Sequence, residues 1–252
     1  MLICIINPNT TKKMTDNIEV VAKKVASNGT TIVSTNPKNG PESIEGYYDE
    51  VFCIPGLIEE VLSNSEADAY IIACFDDTGL DAIRTITNKP VLGIGDSSFH
   101  IASCLAGTFS VITTLDLSVP ILKNNLLKRG FDRICVNVSS VNVPVLDLEN
   151  EESNALLAIE DEIQRSITND KAEAIVLGCA GMADFAEKLE KKFSVPVIEG
   201  VSSSIILAEG LVKMKKTTSK LGGYSYPRPK SYSGIFKPVS YTHLTLPTNR
   251  EV

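Results

Sequence analysis

The chain has 252 residues, 43% of them apolar and 22% charged, and a formal net charge of −7. These values fit one sizeable globular domain or two half-size lobes and argue against wholesale disorder. No apolar run approaches the ~18 residues of a membrane span, and the acidic balance argues against a nucleic-acid partner.

Residues 2–6 form a short apolar, β-branched run that reads as a strand, ended by Asn7-Pro8-Asn9-Thr10. The opening residues lack the charged-then-apolar layout of an export signal. Thr10 or Thr11 is placed to cap the helix that follows, whose apolar positions are Met14, Ile18, Val21 and Val25. Residues 30–34 read as strand and 36–41 as loop. Residues 47–63 read as helix, with a weak point at Pro55-Gly56. Five apolar residues in a row make 69–73 a buried strand, and helix is expected over 79–87. Strand 91–94 leads into a helix carrying His100 and Leu105. Strand 109–113, helix 119–129 ending at Gly130, strand 133–138 and helix 154–168 follow. Strand 174–177, helix 183–192, strand 197–198 and helix 202–214 complete the series. Apolar strands without alternation, separated by amphipathic helices, predict an α/β fold with parallel sheets covered on both faces. Ligands in such folds sit at the carboxyl ends of the strands.

Two stretches repeat. Ile71-Ile72-Ala73-Cys74-Phe75-Asp76-Asp77 parallels Val176-Leu177-Gly178-Cys179-Ala180-Gly181-Met182. Pro90-Val91-Leu92-Gly93 follows the first cysteine at nearly the spacing at which Pro196-Val197-Ile198-Glu199 follows the second. The repeat predicts two similar lobes related by a pseudo-twofold axis, each carrying one thiol at the tip of an equivalent strand. The active site is then expected in the cleft between them. The six cysteines are Cys4, Cys53, Cys74, Cys104, Cys135 and Cys179. They form no CxxC pair and no zinc spacing with His100 and His243, so no metal is expected, and free thiols in a reducing cytoplasm are. Cys4, Cys53, Cys104 and Cys135 read as packing residues. Cys74 and Cys179 are expected where amides of a following helix favour a thiolate. One thiolate can remove a proton from a carbon beside a carbonyl while the opposite thiol protonates the other face. That inverts a stereocentre without a cofactor, provided amide donors stabilise the enolate oxygen.

The chain resembles the aspartate/glutamate/hydantoin racemase superfamily, and within it the hydantoin and allantoin racemase branch. The matching residues are Ile6–Thr10, Gly40–Asp49, Ala73–Leu80, Phe109–Thr114 and Leu177–Met182. The resemblance covers roughly residues 1–236. Both cysteine contexts match that branch rather than the Cys-Asn-Thr and Cys-Thr contexts of amino-acid racemases. It implies Cys74 and Cys179 as the acid/base pair and Asn7, Ser43, Ile44, Phe75, Thr113, Thr114, Ala180 and Gly181 as substrate-binding. It also implies no cofactor and a homo-oligomer. Asn7 also suits a plain turn, Ser43 a helix cap, and Thr113-Thr114 a cap for the next helix. Asp76-Asp77 reads as first-turn acids facing a helix dipole. Glu199 reads equally as a site residue or a solvated acid, and His100 as a hydrogen-bonded core histidine.

No Arg or Lys adjoins either thiol in sequence, so a second carboxylate on the substrate has no receptor. A neutral cyclic ureide, a 5-substituted hydantoin or allantoin, fits better. Two alternatives stand beside this reading. One is a cysteine-dependent isomerase or decarboxylase, like maleate isomerase or arylmalonate decarboxylase. The other is a non-enzymatic binder or thiol redox sensor.

Charge divides the chain. Residues 1–209 carry 16 basic and 30 acidic side chains, and residues 210–252 carry eight and one. The domain is expected over 1–238, with lobes at about 1–95 plus a basic C-terminal arm and 96–210. Residues 239–252, including His243, resemble vector or adapter read-through and are read as a non-native tail.

Overall fold

A computed structural model describes residues 1–149 and 154–234. Among these residues eight strands alternate with eight α-helices. They are β1 (Leu2–Ile6), α1 (Lys12–Val25), β2 (Thr31–Thr35), α2 (Tyr47–Ser63), β3 (Ala69–Ile72), α3 (Leu80–Ile86), β4 (Val91–Gly93) and α4 (Ile94–Leu105). The second half holds β5 (Phe109–Thr113), α5 (Val119–Arg129), β6 (Cys135–Ser140), α6 (Ala155–Thr168), β7 (Ala174–Gly178), α7 (Ala186–Phe193), β8 (Val197–Ile198) and α8 (Gly200–Lys213). Short 3-10 helices occupy Val145–Glu149, Ala180–Phe185 and Gly222–Tyr224.

The strands form two four-stranded sheets, ordered β2-β1-β3-β4 and β6-β5-β7-β8, with every pairing parallel. The second order repeats the first with each strand number raised by four. The thiols therefore follow equivalent strands, β3 and β7, as the repeat predicted.

Burial explains why the strands read as unbroken apolar runs. Ile3 and Ile5 of β1, Ile71 of β3, Val111 of β5 and Val176 of β7 enter one core shared by both sheets. Their neighbours Cys4, Ile6, Tyr70 and Ile72 face an outer layer with α2 and α3. Ile112, Ile175 and Leu177 face a matching outer layer with α6 and α7. Both faces are covered, so no polar alternation is needed.

Two helices cross between the halves. α4 follows the first sheet yet packs on β7 and β8 of the second, while α8 follows the second sheet yet packs on β3 and β4 of the first. The two cross-over helices also pack on each other, so close that a Cβ on Gly200 would meet Ile94 at 2.7 Å.

Element edges differ from expectation in instructive ways. α2 runs unbroken through Pro55. α1 is not capped by a threonine hydroxyl: Asn9 Oδ1 accepts the Thr11 amide at 2.9 Å, while Thr11 Oγ1 donates to Glu42 O at 2.7 Å. His100 is exposed rather than in the core, because α4 buries Ile94 to Phe99 and Ala102 and turns His100 outward to pair with Asp96. Cys104, on the same helix, is exposed as well. Cys4 and Cys53 are buried, and no disulfide joins any of the six cysteines. Residues 235–252, which include the end of the basic arm, the expected tail and His243, lie outside the described residues. Among the described residues no helix is long and apolar enough to cross a membrane.

Candidate active site

The two central strands of each sheet end at a common cleft. β1 delivers Asn7, β3 delivers Cys74, β5 delivers Thr113 and Thr114, and β7 delivers Cys179. The cleft measures about 420 Å³ including solvent at its mouth. Ile44, Phe75 and Ala180 complete the expected residues on its wall. Ser43 and Gly181 do not line it. Ser43 Oγ turns to Glu45 Oε1 at 3.3 Å. Gly181 sits behind Cys179, where a Cβ would lie 3.7 Å from its sulfur.

Each thiol begins a tight turn. The Asp77 amide donates to Cys74 O at 3.0 Å, and the Met182 amide donates to Cys179 O at 3.1 Å. Beyond that turn the lobes differ. Cys179 is the residue before a 3-10 helix, whereas α3 begins only at Leu80, after a left-handed Asp77 and Gly79. The expectation that a helix start lies directly against Cys74 is thus corrected. Burial, and next the Asp76 charge, pushes the Cys74 thiol well above its ordinary value. The Thr78 hydroxyl, 3.5 Å from the sulfur, and the Asp76 amide pull the other way. Burial thus works against the thiolate that a helix start is expected to favour at Cys74.

Asn7 uses its side chain to shape the turn: Nδ2 donates to Asn9 Oδ1 at 2.7 Å and to Thr15 Oγ1 at 3.1 Å. Asn7 and Asn9 are both buried, and both line the cleft, so the turn and site readings coexist. Thr113 Oγ1 donates to Gly178 O at 3.0 Å, tying β5 to β7 just before Cys179. It does not cap α5, whose N-cap position is Ser118.

Sequence reasoning missed Asn9, Met14, Asp76, Ser118 and Val145 as cleft residues. Asp76 is 7% exposed and lies ahead of α3 rather than in its first turn. Its Oδ2 accepts from Ser118 Oγ at 3.0 Å and its carbonyl from Asn125 Nδ2 at 2.8 Å, both from the second half of the chain. Burial pushes its carboxyl up to about 7, opposed by the Ser118 hydroxyl. Across the mouth the Val145 amide donates to Glu45 Oε1 at 3.1 Å, a second link between the halves. Only the contact between segments distant in sequence, 42 and 100 residues apart, brings these residues to the cleft.

Glu199 is buried and caps its own helix, accepting Val201 N at 2.6 Å and Ser202 N at 2.7 Å. It is neither a solvated acid nor a lining residue. A second hollow between α2, α3 and α5, walled by Tyr47, Glu50, Asp81 and Lys128, lies behind the Asp76 segment and holds neither thiol. Among the described residues no group of three His, Cys, Asp or Glu side chains is placed to hold a metal ion.

Two thiols on equivalent turns in one cleft, with hydroxyls and amides around them and no lining Lys or Arg, suit proton transfer on an uncharged carbonyl compound. The comparisons point the same way. The Asp/Glu/Hydantoin racemase family model matches residues 3–208. A hydantoin racemase from Pseudomonas sp. (strain NS671) is 46% identical over 94% of this chain and 96% of its own. The structure of allantoin racemase from Klebsiella pneumoniae superposes with a TM-score of 0.92 at 37% identity, over 96% of this chain and 99% of its own. Allantoin racemase from Pseudomonas fluorescens gives 0.90 at 36% identity, over 93% and 100%.

Proposed function

The chain belongs to the Asp/Glu/hydantoin racemase family, and on that premise we propose that it racemises neutral cyclic ureides, 5-substituted hydantoins or allantoin, with Cys74 and Cys179 as its two acid/base groups. The observation that carries the reading is the placement of both thiols, on equivalent turns, in the wall of one cleft. One thiolate takes the proton from ring carbon 5, and the C–H electron pair moves into the enolate of the neighbouring carbonyl. The opposite thiol then gives its proton to the other face of that carbon. The thiol and thiolate have exchanged places, so the enzyme is ready for the opposite enantiomer. Each proton transfer contributes about 10²–10⁴-fold.

Asn7, Ile44, Phe75, Thr113, Thr114 and Ala180 form the substrate wall in this reading, with Gly181 against Cys179 and Ser43 adjoining Ile44 in the chain. The buried Asp76 favours N–H donors and opposes a substrate carboxylate, which supports a ureide over an acidic amino acid. The mechanism asks for no cofactor and no metal. It needs reduced thiols, which fits a reducing cytoplasm, and the resemblance carries a homo-oligomer with it. The domain is taken as residues 1–238.

Polarimetry of the purified protein with an L-5-substituted hydantoin and with (R)-allantoin tests the reading. Decay of rotation without loss of substrate mass supports it and chooses the substrate. Loss of carbon dioxide, or a constitutional isomer as product, moves the chain to the decarboxylase or isomerase alternative. Binding with neither rotation loss nor solvent-hydrogen exchange leaves the binder or redox sensor.

A further inference from the structure

The pseudo-twofold repeat makes one asymmetry visible. Gly93, the last residue of β4, and Glu199, just after β8, are equivalent; they are the N-cap positions of α4 and α8. In the second half, Glu199 caps its own helix at the amides two and three residues on, those of Val201 and Ser202. In the first half those two amides belong to Gly95 and Asp96. They are taken instead by Asp77, Gly95 N to Oδ1 at 3.0 Å and Asp96 N to Oδ2 at 2.8 Å. The fourth residue of the Cys74 turn is thus the acid that the N-cap position lacks, and its counterpart in the Cys179 turn is the buried, apolar Met182.

Space confirms the exchange. A Cβ on Gly93 would overlap the Asp77 carboxylate, and a Cβ on Gly95 would overlap Phe75 O. Asp77 holds a left-handed backbone, φ 55°, which is uncommon for a residue other than glycine. Its amide is fixed to Cys74 O while its carboxylate is fixed to α4. The next contact reinforces the tie: Phe75 meets Phe99 of α4 edge-on, with ring centroids 5.8 Å apart. α4 in turn packs on β7, the strand that ends at Cys179.

We propose that Asp77 is a positioning residue for Cys74, tethering the Cys74 turn to α4 and, through α4, setting the two thiols at a fixed separation. Capping of α4 alone does not require this arrangement, because the equivalent N-cap side chain, Glu199, performs it locally in the other half. The acid is placed on the turn, where one side chain both caps the helix and holds the thiol. The proposal rests on the racemase reading for its kinetic consequence and on the structure alone for the tether.

A double substitution separates capping from tethering. Asp77→Met with Gly93→Glu rebuilds in the first half the arrangement of the second: α4 keeps a carboxylate cap while the Cys74 turn loses its tie. We expect a folded protein with a somewhat lower melting temperature, since Met takes a left-handed φ and a Cβ at 93 meets Leu80 at 3.1 Å, together with kcat at least tenfold lower, little change in KM, and unequal exchange of the carbon-5 hydrogen with D2O between the two enantiomers. Alkylation by iodoacetamide, followed by peptide mass analysis, reads the tether without any substrate. Cys74 should react at least tenfold faster than in wild type, with Cys179 within threefold. Asp77→Asn, which keeps the shape and one acceptor oxygen, serves if the double variant does not fold, and should show the same pattern at smaller size. Unchanged Cys74 reactivity together with wild-type kcat in a folded variant overturns the proposal. A wild-type protein that racemises nothing refutes the racemase reading instead, and the alkylation pattern then still decides the tether.

Discussion

At the end of β7, Cys179 opens directly into a 3-10 helix, its strand is locked by Thr113 Oγ1 to Gly178 O, and the cap of α8 is left to Glu199. At the end of β3, Cys74 is followed by five residues before α3 begins, and that segment is tied sideways, by Asp76 to Ser118 and Asn125 and by Asp77 to α4. The two ends share strand order, turn geometry and a thiol, yet the acids of the first turn bond to distant segments, whereas the acid that caps the helix of the second half does so locally and the 3-10 helix after Cys179 packs on α1 and α8. A symmetric reaction needs a thiol on each face, but it does not need the two thiols to be held alike. Substitutions in α4 or at Ser118 and Asn125 therefore bear on the first end through its acids.

The largest effect that would test this contrast is expected at Phe99. Its ring is fully buried between Phe75 on the Cys74 turn and Phe109 at the start of β5, which it stacks at 6.1 Å. Phe99→Ala should cost about 3–5 kcal/mol of stability by denaturant unfolding, and surviving activity should fall more than fold stability alone explains. An activity unchanged per folded molecule would mean that α4 does not support the Cys74 end. Next is the contact of the two cross-over helices. A Cβ at Gly200 would press on Ile94 backbone and side chain, so Gly200→Ala should destabilise by about 1–3 kcal/mol.

Asp76→Asn is expected to act through charge. Burial holds the Asp76 carboxyl at about 7, above its unfolded value of 3.8, so its ionised form is disfavoured in the folded protein. Wild-type stability contributed by this group then falls as pH rises through that interval. The variant should gain in melting temperature relative to wild type between those limits and level off above them. Removing the charge also favours the Cys74 thiolate, so the acid limb of exchange at that thiol should move to lower pH; a limb moving upward would contradict the assignment. The smallest effect is expected at Gly210, in the last turns of α8 with nothing within 4 Å of a Cβ. Gly210→Ala should be neutral or stabilising by up to about 1 kcal/mol, in contrast to its neighbour in the same helix, Gly200.

Much of this was legible in the sequence where local chemistry decides. The unalternated run 69–73 could only be a strand buried on both faces, and Gly130 ends α5 with the left-handed φ of 80° that glycine accepts without strain. The repeated cysteine contexts located both thiols, because position after an equivalent strand is a local property. What was not legible depends on crossings. Asp76 and Asp77 looked like ordinary first-turn acids, since nothing in their neighbourhood announces Ser118, Asn125 or the amides of α4. Ser43 matched a family stretch, but its hydroxyl faces Glu45 because the loop carrying Ile44 bends its neighbour away from the cleft. His100 reads as a core histidine within a helix, yet the phase of α4 turns it to solvent.

The central claim is that two thiols act on one carbon from opposite sides. It is met most directly by following optical rotation and carbon-5 deuterium incorporation together in D2O, for each hydantoin or allantoin enantiomer, in wild type, Cys74→Ala and Cys179→Ala. The account predicts that both variants lose racemisation by about 10²-fold or more, and that each retains exchange for one enantiomer only, the opposite one in the two variants. Racemisation at wild-type rate in either variant, or the same enantiomer exchanging in both, would contradict it.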